Sequence, residues 1–407
     1  MSSFTRLLYR SFCTSPTITS PSASSSSPSL NTLLQGIVKE RSFKKLVEKF
    51  KKCSEEHRFR CRPRVYEITV RRLADAKKFH YIEEILEEQK KYNDISKEGF
   101  AVRLISLYGK SGMFDHASKT FDQMPELKCP RTVMSFNALL TACVDSKNFL
   151  KADRYFRVLP PSLSVIPNRF TYNIMIRAFC EMGQFDFAIR MLDEMERNEV
   201  EPDMITFNTL LKALYEHDRF SDGEKIWAKM ENTNCTPDNR SFNAKLEGLV
   251  RGGKTQEAVE LVKELRTRGL KPDIFSFNSL IKGFCNEGNI EDAMRIYDDL
   301  AKEDCVSNRM TIQTIVPCLC KKGDFDLAFK LCQDSLNRHC LLDARLLQVV
   351  VDGLVKKSKL DEAKELVNLG RDRKYSRSFL KLPTGAEDAK LPTGAEDALF
   401  LETAALS

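Results

Sequence analysis

Apolar residues in this chain fall into short blocks at helical spacing, each bounded by a glycine or a proline. Phe187, Ile189, Met191, Leu192 and Met195 form one such block after Gly183, and the block before that glycine opens with TYNIMI (171–176). Each block predicts a helix too short to stand alone in water. Two of them joined at a glycine predict a helical hairpin, and the hairpin must find its core against a neighbour.

The hairpins repeat. Ala117, Ala152, Ala188, Ala258, Ala293, Ala328 and Ala363 recur at 35 residues or multiples of 35, with one step of 36. The same register aligns SFNALL (135–140), TYNIMI, TFNTLL (206–211), SFNAKL (241–246) and SFNSLI (276–281). Gly112, Gly183, Gly253, Gly288 and Gly323 follow in phase as turns, and Pro167, Pro202, Pro237 and Pro272 close units. A constant period of this size predicts an all-α, right-handed superhelical solenoid of about ten 35-residue helix–turn–helix repeats. Weaker copies start near Pro28, Pro63 and Glu98, and again at Arg309 and Ala344. Residues 28–378 are 351 residues, ten units of 35 plus one inserted residue near Pro160 and Pro161. The expected division is a disordered leader at 1–29 and a solenoid at 30–378, followed by a flexible acidic tail at 379–407 in which KLPTGAEDA (381–389) is duplicated. Within the solenoid, repeats are degenerate over 28–132, best over 133–308 and weaker over 309–378.

Composition narrows the classes. At 407 residues and 42% hydrophobic the chain is long and apolar enough for a buried core, which excludes full disorder, collagen and disulfide scaffolds. Thirteen cysteines without a CxxC pair suit a reducing compartment, and no run of 18 uncharged apolar residues predicts a membrane span. The net charge is +7; residues 381–407 carry −3, so residues 1–380 carry +10. Residues 1–39 contain no Asp or Glu, and FTRLLYRSF (4–12) sets Arg6 and Arg10 on one helical face. That is a transit-peptide pattern favouring mitochondria, with the chloroplast and a merely disordered tail as alternatives.

A 35-residue helical pair with a T/S–Y/F–N start and a closing Pro-Asp resembles the P-type pentatricopeptide repeat family over nearly the whole chain after the leader. The 34-residue tetratricopeptide repeat has a different signature, absent here. The resemblance implies an organellar binder of single-stranded RNA. Residues 66–117 are similar to the first repeats of a subgroup of small plant proteins of this family that are subunits of the mitochondrial ribosome, attached to its small subunit.

The resemblance further implies that each repeat reads one base through its fifth and last residues. Those pairs are Asn137 with Asn168, Asn173 with Asp203, Asn208 with Asp238, Asn243 with Asp273, and Asn278 with Asn308. An Asn amide offers a donor and an acceptor to a pyrimidine edge. By the family's preferences, Asn with Asp implies U and Asn with Asn implies C or U, giving a tract like 5′-YUUUY-3′. The second residue of each unit, Met134, Phe170, Ile205, Arg240, Phe275 and Met310, is expected to stack on the bases. The alternative is that Asn recurs to cap or bridge helices. The aromatics just before it, such as Tyr172 and Phe207, are expected to pack. The fifth place holds Thr32, Glu67, Val102, Gln313 and Gln348 in the outer units, so half the solenoid lacks the code. Permanent docking on ribosomal RNA suits that pattern better than selection of a long messenger site.

Other motifs dissolve into the repeat. GLVRGGKT (248–255) fits the phosphate-loop pattern, yet Gly253 is in phase with the other turns and no strand precedes it. Cys180, Cys285 and Cys320 share one phase and Cys129, Cys235, Cys305 and Cys340 another, as small apolar fillers rather than zinc ligands. Trp227 falls in a helix-two core phase. The five histidines are scattered, none begins an H-x-E, and no Asp-rich nuclease domain follows the repeats. The sequence reading is a non-enzymatic protein of the mitochondrial matrix, without cofactor or metal, whose partners are single-stranded RNA, ribosomal RNA and mitochondrial ribosomal proteins. A transcript-specific RNA binder and a protein-only scaffold are the alternatives.

Overall fold

The computed structural model describes residues 30–233, 235–303, 305–372 and 380–382. The leader assigned to 1–29, and the tail from 383 onward, lie outside the described residues.

The chain divides into two compact units, Met1–Pro237 and Asp238–Ser407. In the first, six hairpins follow one another: α1 (Leu30–Lys39) with α2 (Phe43–Ser54), α4 (Pro63–Asp75) with α5 (Phe79–Gln89), α6 (Glu98–Lys110) with α7 (Phe114–Asp122), α8 (Val133–Asp145) with α9 (Phe149–Leu163), α10 (Arg169–Glu181) with α11 (Phe185–Arg197), and α12 (Met204–Glu216) with α13 (Phe220–Asn232). The second holds four: α14 (Asn239–Arg251) with α15 (Thr255–Thr267), α16 (Ile274–Asn286) with α17 (Ile290–Lys302), α18 (Arg309–Lys322) with α19 (Phe325–Asn337), and α20 (Ala344–Lys356) with α21 (Leu360–Asp372). The described residues are all-helical, and the ten hairpins match the ten expected repeats.

Two short elements were not legible in the sequence: α3 (His57–Arg60) and a 3₁₀ turn at Asn93–Ser96. Both sit between hairpins and are tied together through Asp94, whose carboxylate takes hydrogen bonds from Arg60 Nε at 2.7 Å, His57 Nδ1 at 3.1 Å and Lys97 Nζ at 3.1 Å. Burial disfavours ionisation of Asp94, but these three donors together outweigh it and hold its pKa down to about 2.

The period is enforced where the hairpin helices cross. The seven alanines that set the register are all fully buried. The same phase in the sixth hairpin holds Gly223, where an added Cβ would lie 2.5 Å from the Tyr215 ring of the paired helix, so only the smallest residues fit. The turns are equally periodic. Left-handed backbone occurs at Lys77, Gly112, Lys147, Gly183, Asp218, Gly253, Gly288, Gly323 and Ser358, with φ between 55° and 80°. Glycine marks five of these turns in the sequence; at the other four a side chain tolerates a conformation it disfavours.

The solenoid ends later than expected. Leu380 is fully buried in the core of the second unit, and Gln348 exchanges two 2.9 Å hydrogen bonds with the backbone of Lys381. Residues 380–382, read from sequence as part of the flexible tail at 379–407, therefore pack on the last described hairpin and cover its apolar face.

Replacing Ser358 with glycine is expected to stabilise the chain by up to about 1 kcal/mol, and Gly288→Ala to destabilise it by about 1–2 kcal/mol, read as opposite shifts of the urea unfolding midpoint.

Candidate nucleic-acid interface

The five fifth-position asparagines lie one per hairpin on the first helix, and the last residue of each unit is the N-cap of the next first helix. Asp203 shows how the cap forms. Its backbone is extended (φ −122°, ψ 178°), its Oδ1 accepts from Ile205 N at 3.1 Å and Thr206 N at 3.0 Å, and its own N–H donates to Thr206 Oγ1 at 3.1 Å. The Thr206 hydroxyl then donates to Asn173 Oδ1 of the preceding hairpin at 2.6 Å, and Asn173 Nδ2 donates back to Asp203 Oδ1 at 3.2 Å. Three side chains thus close a ring across two hairpins.

The ring recurs. In the first unit Thr171 donates to Asn137 at 2.7 Å and Asn137 to Asn168 at 3.2 Å. In the second unit Ser276 donates to Asn243 at 2.7 Å and Asn243 to Asp273 at 3.0 Å, while Thr311 donates to Asn278 at 2.7 Å and Asn278 to Asn308 at 3.4 Å. Asn208 is half-buried on α12, and Asp238 caps α14 through Arg240 N and Ser241 N. Sequence reasoning set capping and base reading against each other; the structure gives these residues the structural task in full. It also missed the hub, the third-position Thr or Ser, which the recurrent D/N-x-x-T/S spacing could have revealed.

What the ring leaves over decides what it can bind. Asn173 is 1% exposed, and its carbonyl and one amide hydrogen are committed. Its second amide hydrogen and Asp203 Oδ2 make no hydrogen bond among the described residues. A donor beside an acceptor complements the edge of uracil, which presents an N–H between carbonyls. Where the cap is Asn168, its Oδ1 is spent and its amide hydrogens remain, a set suited to the ring-nitrogen acceptor of cytosine.

Of the expected stacking residues, Phe170, Arg240, Phe275 and Met310 are exposed, Phe275 at 66% and Met310 at 60%, whereas Met134 and Ile205 are half-buried. A groove of about 650 Å³ in the first unit brings Asn168, Phe170 and Asp203 together, with Ile166, Pro167 and Arg169 on its walls. Two of the degenerate fifth positions are engaged elsewhere: Glu67 pairs with Lys110 at 3.6 Å and Gln348 holds Lys381.

Cations in these repeats are paired with carboxylates. Arg177 is bound by Asp145 at 2.7 Å and Glu181 at 2.8 Å, and Glu181 also takes Lys147 at 2.6 Å. Residues 133–308 contain 23 Lys/Arg against 28 Asp/Glu, so the basic surplus of the chain is not located on the repeats expected to carry the code.

The phosphate-loop look-alike spans the end of α14, the Gly253 turn and the start of α15, with a helix where a strand would be needed. Burial pushes the Cys143 and Cys180 thiols up to about 12, as expected of apolar fillers. Among the described residues no three His, Cys, Asp or Glu side chains are grouped to hold a metal ion, and no helix is long and apolar enough to cross a membrane.

The sequence matches the family model described as PPR repeat family over residues 167–216, 202–251, 240–286 and 272–321, and that described as Pentatricopeptide repeat domain over residues 102–146. Over residues 102–146 and 167–321 this chain is made of pentatricopeptide repeats. It is 51% identical over 181 residues to the Arabidopsis thaliana small ribosomal subunit protein mS78 (rPPR3a), covering 44% of this chain and 45% of that protein. It is 48% identical over 194 residues to mS79 (rPPR3b) of the same plant, covering 48% of each. The chain thus spans about half the length of these two curated relatives. The crystal structure of the pentatricopeptide repeat protein PPR10 from maize is similar at 17% identity and TM-score 0.49, covering 85% of this chain and 54% of that one.

Thr206→Val is expected to open the ring at its hub, leaving Asn173 Oδ1 buried without a partner. It should cost about 1–3 kcal/mol in urea unfolding, against under about 1 kcal/mol for Thr209→Val, whose hydroxyl bonds only its own helix backbone.

Proposed function

We propose that this chain is a non-enzymatic RNA-binding subunit of the mitochondrial small ribosomal subunit, located in the matrix, that holds a short pyrimidine-rich single strand of ribosomal RNA and contacts ribosomal proteins. The observation that carries RNA reading is the donor–acceptor edge left by Asn173 and Asp203 after the ring is closed. Each layer of this kind can address one base, and the exposed Phe275 and Met310 offer faces on which neighbouring bases stack, at about 1–3 kcal/mol per base.

The ribosomal part of the reading is supported by half-length likeness to mS78 and mS79, together with the engagement of Glu67 and Gln348 in contacts of the protein itself. Reading layers confined to 133–308 fit a site of about five nucleotides, short for selecting one transcript but sufficient to fix an orientation on a larger RNA. Residues 1–39, with no acid and with Arg6 and Arg10 on one face, fit delivery to mitochondria.

In organelle lysate the protein is expected to sediment with small ribosomal subunits; recovery only in light fractions would contradict the ribosomal assignment. With purified protein, Asp203→Asn is expected to move the preference at one position of a YUUUY oligonucleotide from U toward C, measured as a crossover of roughly tenfold in relative affinity. An unchanged preference at every position would contradict base reading.

A further inference from the structure

The degenerate first repeats hold the charge that the reading repeats lack. Residues 39–78 contain fifteen Lys/Arg against six Asp/Glu, a surplus of nine within a chain whose total is +7. Eleven of the fifteen are exposed and have no carboxylate partner among the described residues. Such a surplus at close range is costly for a fold to maintain without a counter-charge, and it creates a local field that persists over about 8 Å at physiological salt.

Lys44 and Lys45 stand in the first turn of α2, and others of these cations gather at the two ends of α4. Arg58, Arg62 and Arg64 lie at the end where α3 leads into α4. Arg72 sits in the last turn of α4, with Arg71 just before it and Lys78 just beyond the helix, and Arg72 binds the carbonyls of Ile37, Val38 and Glu40, bringing the end of α1 to the same edge. The two edges are separated by the 13 residues of α4, about 20 Å. Between them the base-reading position is Glu67, already paired with Lys110, so nothing on α4 addresses a base edge.

We propose that residues 39–78 form a second RNA-binding surface, distinct from the Asn ladder, that grips the phosphate backbone of RNA without regard to its sequence. This rests on the reading of the chain as an RNA binder. It assigns the affinity term to the degenerate repeats and the specificity term to the ladder, as phosphate contacts position and base contacts specify.

The test uses the full chain, fluorescence anisotropy from about 50 to 200 mM KCl, and two probes without a pyrimidine tract: a G·C-stem RNA hairpin and an A-only single strand. A variant carrying Lys44→Gln, Lys45→Gln, Arg64→Gln and Arg71→Gln removes four exposed cations. It is expected to bind at least one probe about tenfold more weakly, with the salt slope reduced by about three. The single variant Arg71→Gln should reduce the slope by somewhat under one, which keeps the test valid if the quadruple variant is poorly folded. Loss confined to the hairpin identifies paired RNA as the ligand, and loss confined to the A-only strand identifies single-stranded RNA. The cation variants should keep the wild-type base preference along the YUUUY oligonucleotide, so failure of base reading is distinguishable from failure of this surface. Wild-type affinity and slope on both probes for the cation variants, or loss only of ribosomal protein association, would overturn the proposal.

Discussion

The structure depends on one recurring interaction: a hydroxyl at the third position of a hairpin donating to the amide carbonyl at the fifth position of the hairpin before it. Helical hairpins of this length have no core of their own, so the solenoid exists only if successive hairpins hold a fixed register. Apolar packing favours contact but is tolerant of sliding. A buried hydrogen-bond ring is not, because a small shift leaves polar atoms unsatisfied in a region closed to water. Placing the helix cap inside that ring couples three tasks, starting the helix, joining the hairpins and orienting the amide.

The same coupling explains why the edge proposed to read a base is small. After capping and joining, the Asn173–Asp203 layer retains one amide hydrogen and one carboxylate oxygen, held in place by the ring. Side chains that would be costly to immobilise are absent from the edge itself. The charge of residues 133–308 fits the proposed division, since strong backbone attraction there would hold any RNA regardless of base, while the surplus over residues 39–78 would supply attachment without blurring selection.

Much of the fold is legible in the sequence because it is periodic. Seven alanines and five glycines fix the repeat length, and the fully buried alanines and left-handed turns bear out the reason. What escapes is whatever lacks a type-specific residue. Lys147, Asp218 and Ser358 turn the chain as glycine does but carry no signal of it. The link through Asp94 joins residues far apart in sequence, and Leu380 packs although it precedes a stretch that reads as tail. At the site, the paired positions were legible, and the choice between capping and reading was posed as exclusive only because sequence cannot show that a carboxylate has two oxygens with different partners.

The most direct measurement is a structure of the full chain bound to a YUUUY RNA. The account expects a uracil with its N–H on Asp203 Oδ2 and a carbonyl on the second Asn173 amide hydrogen, with the Thr206–Asn173 bond intact. Bases lying away from the Asn ladder, or a ring broken to admit them, would contradict it.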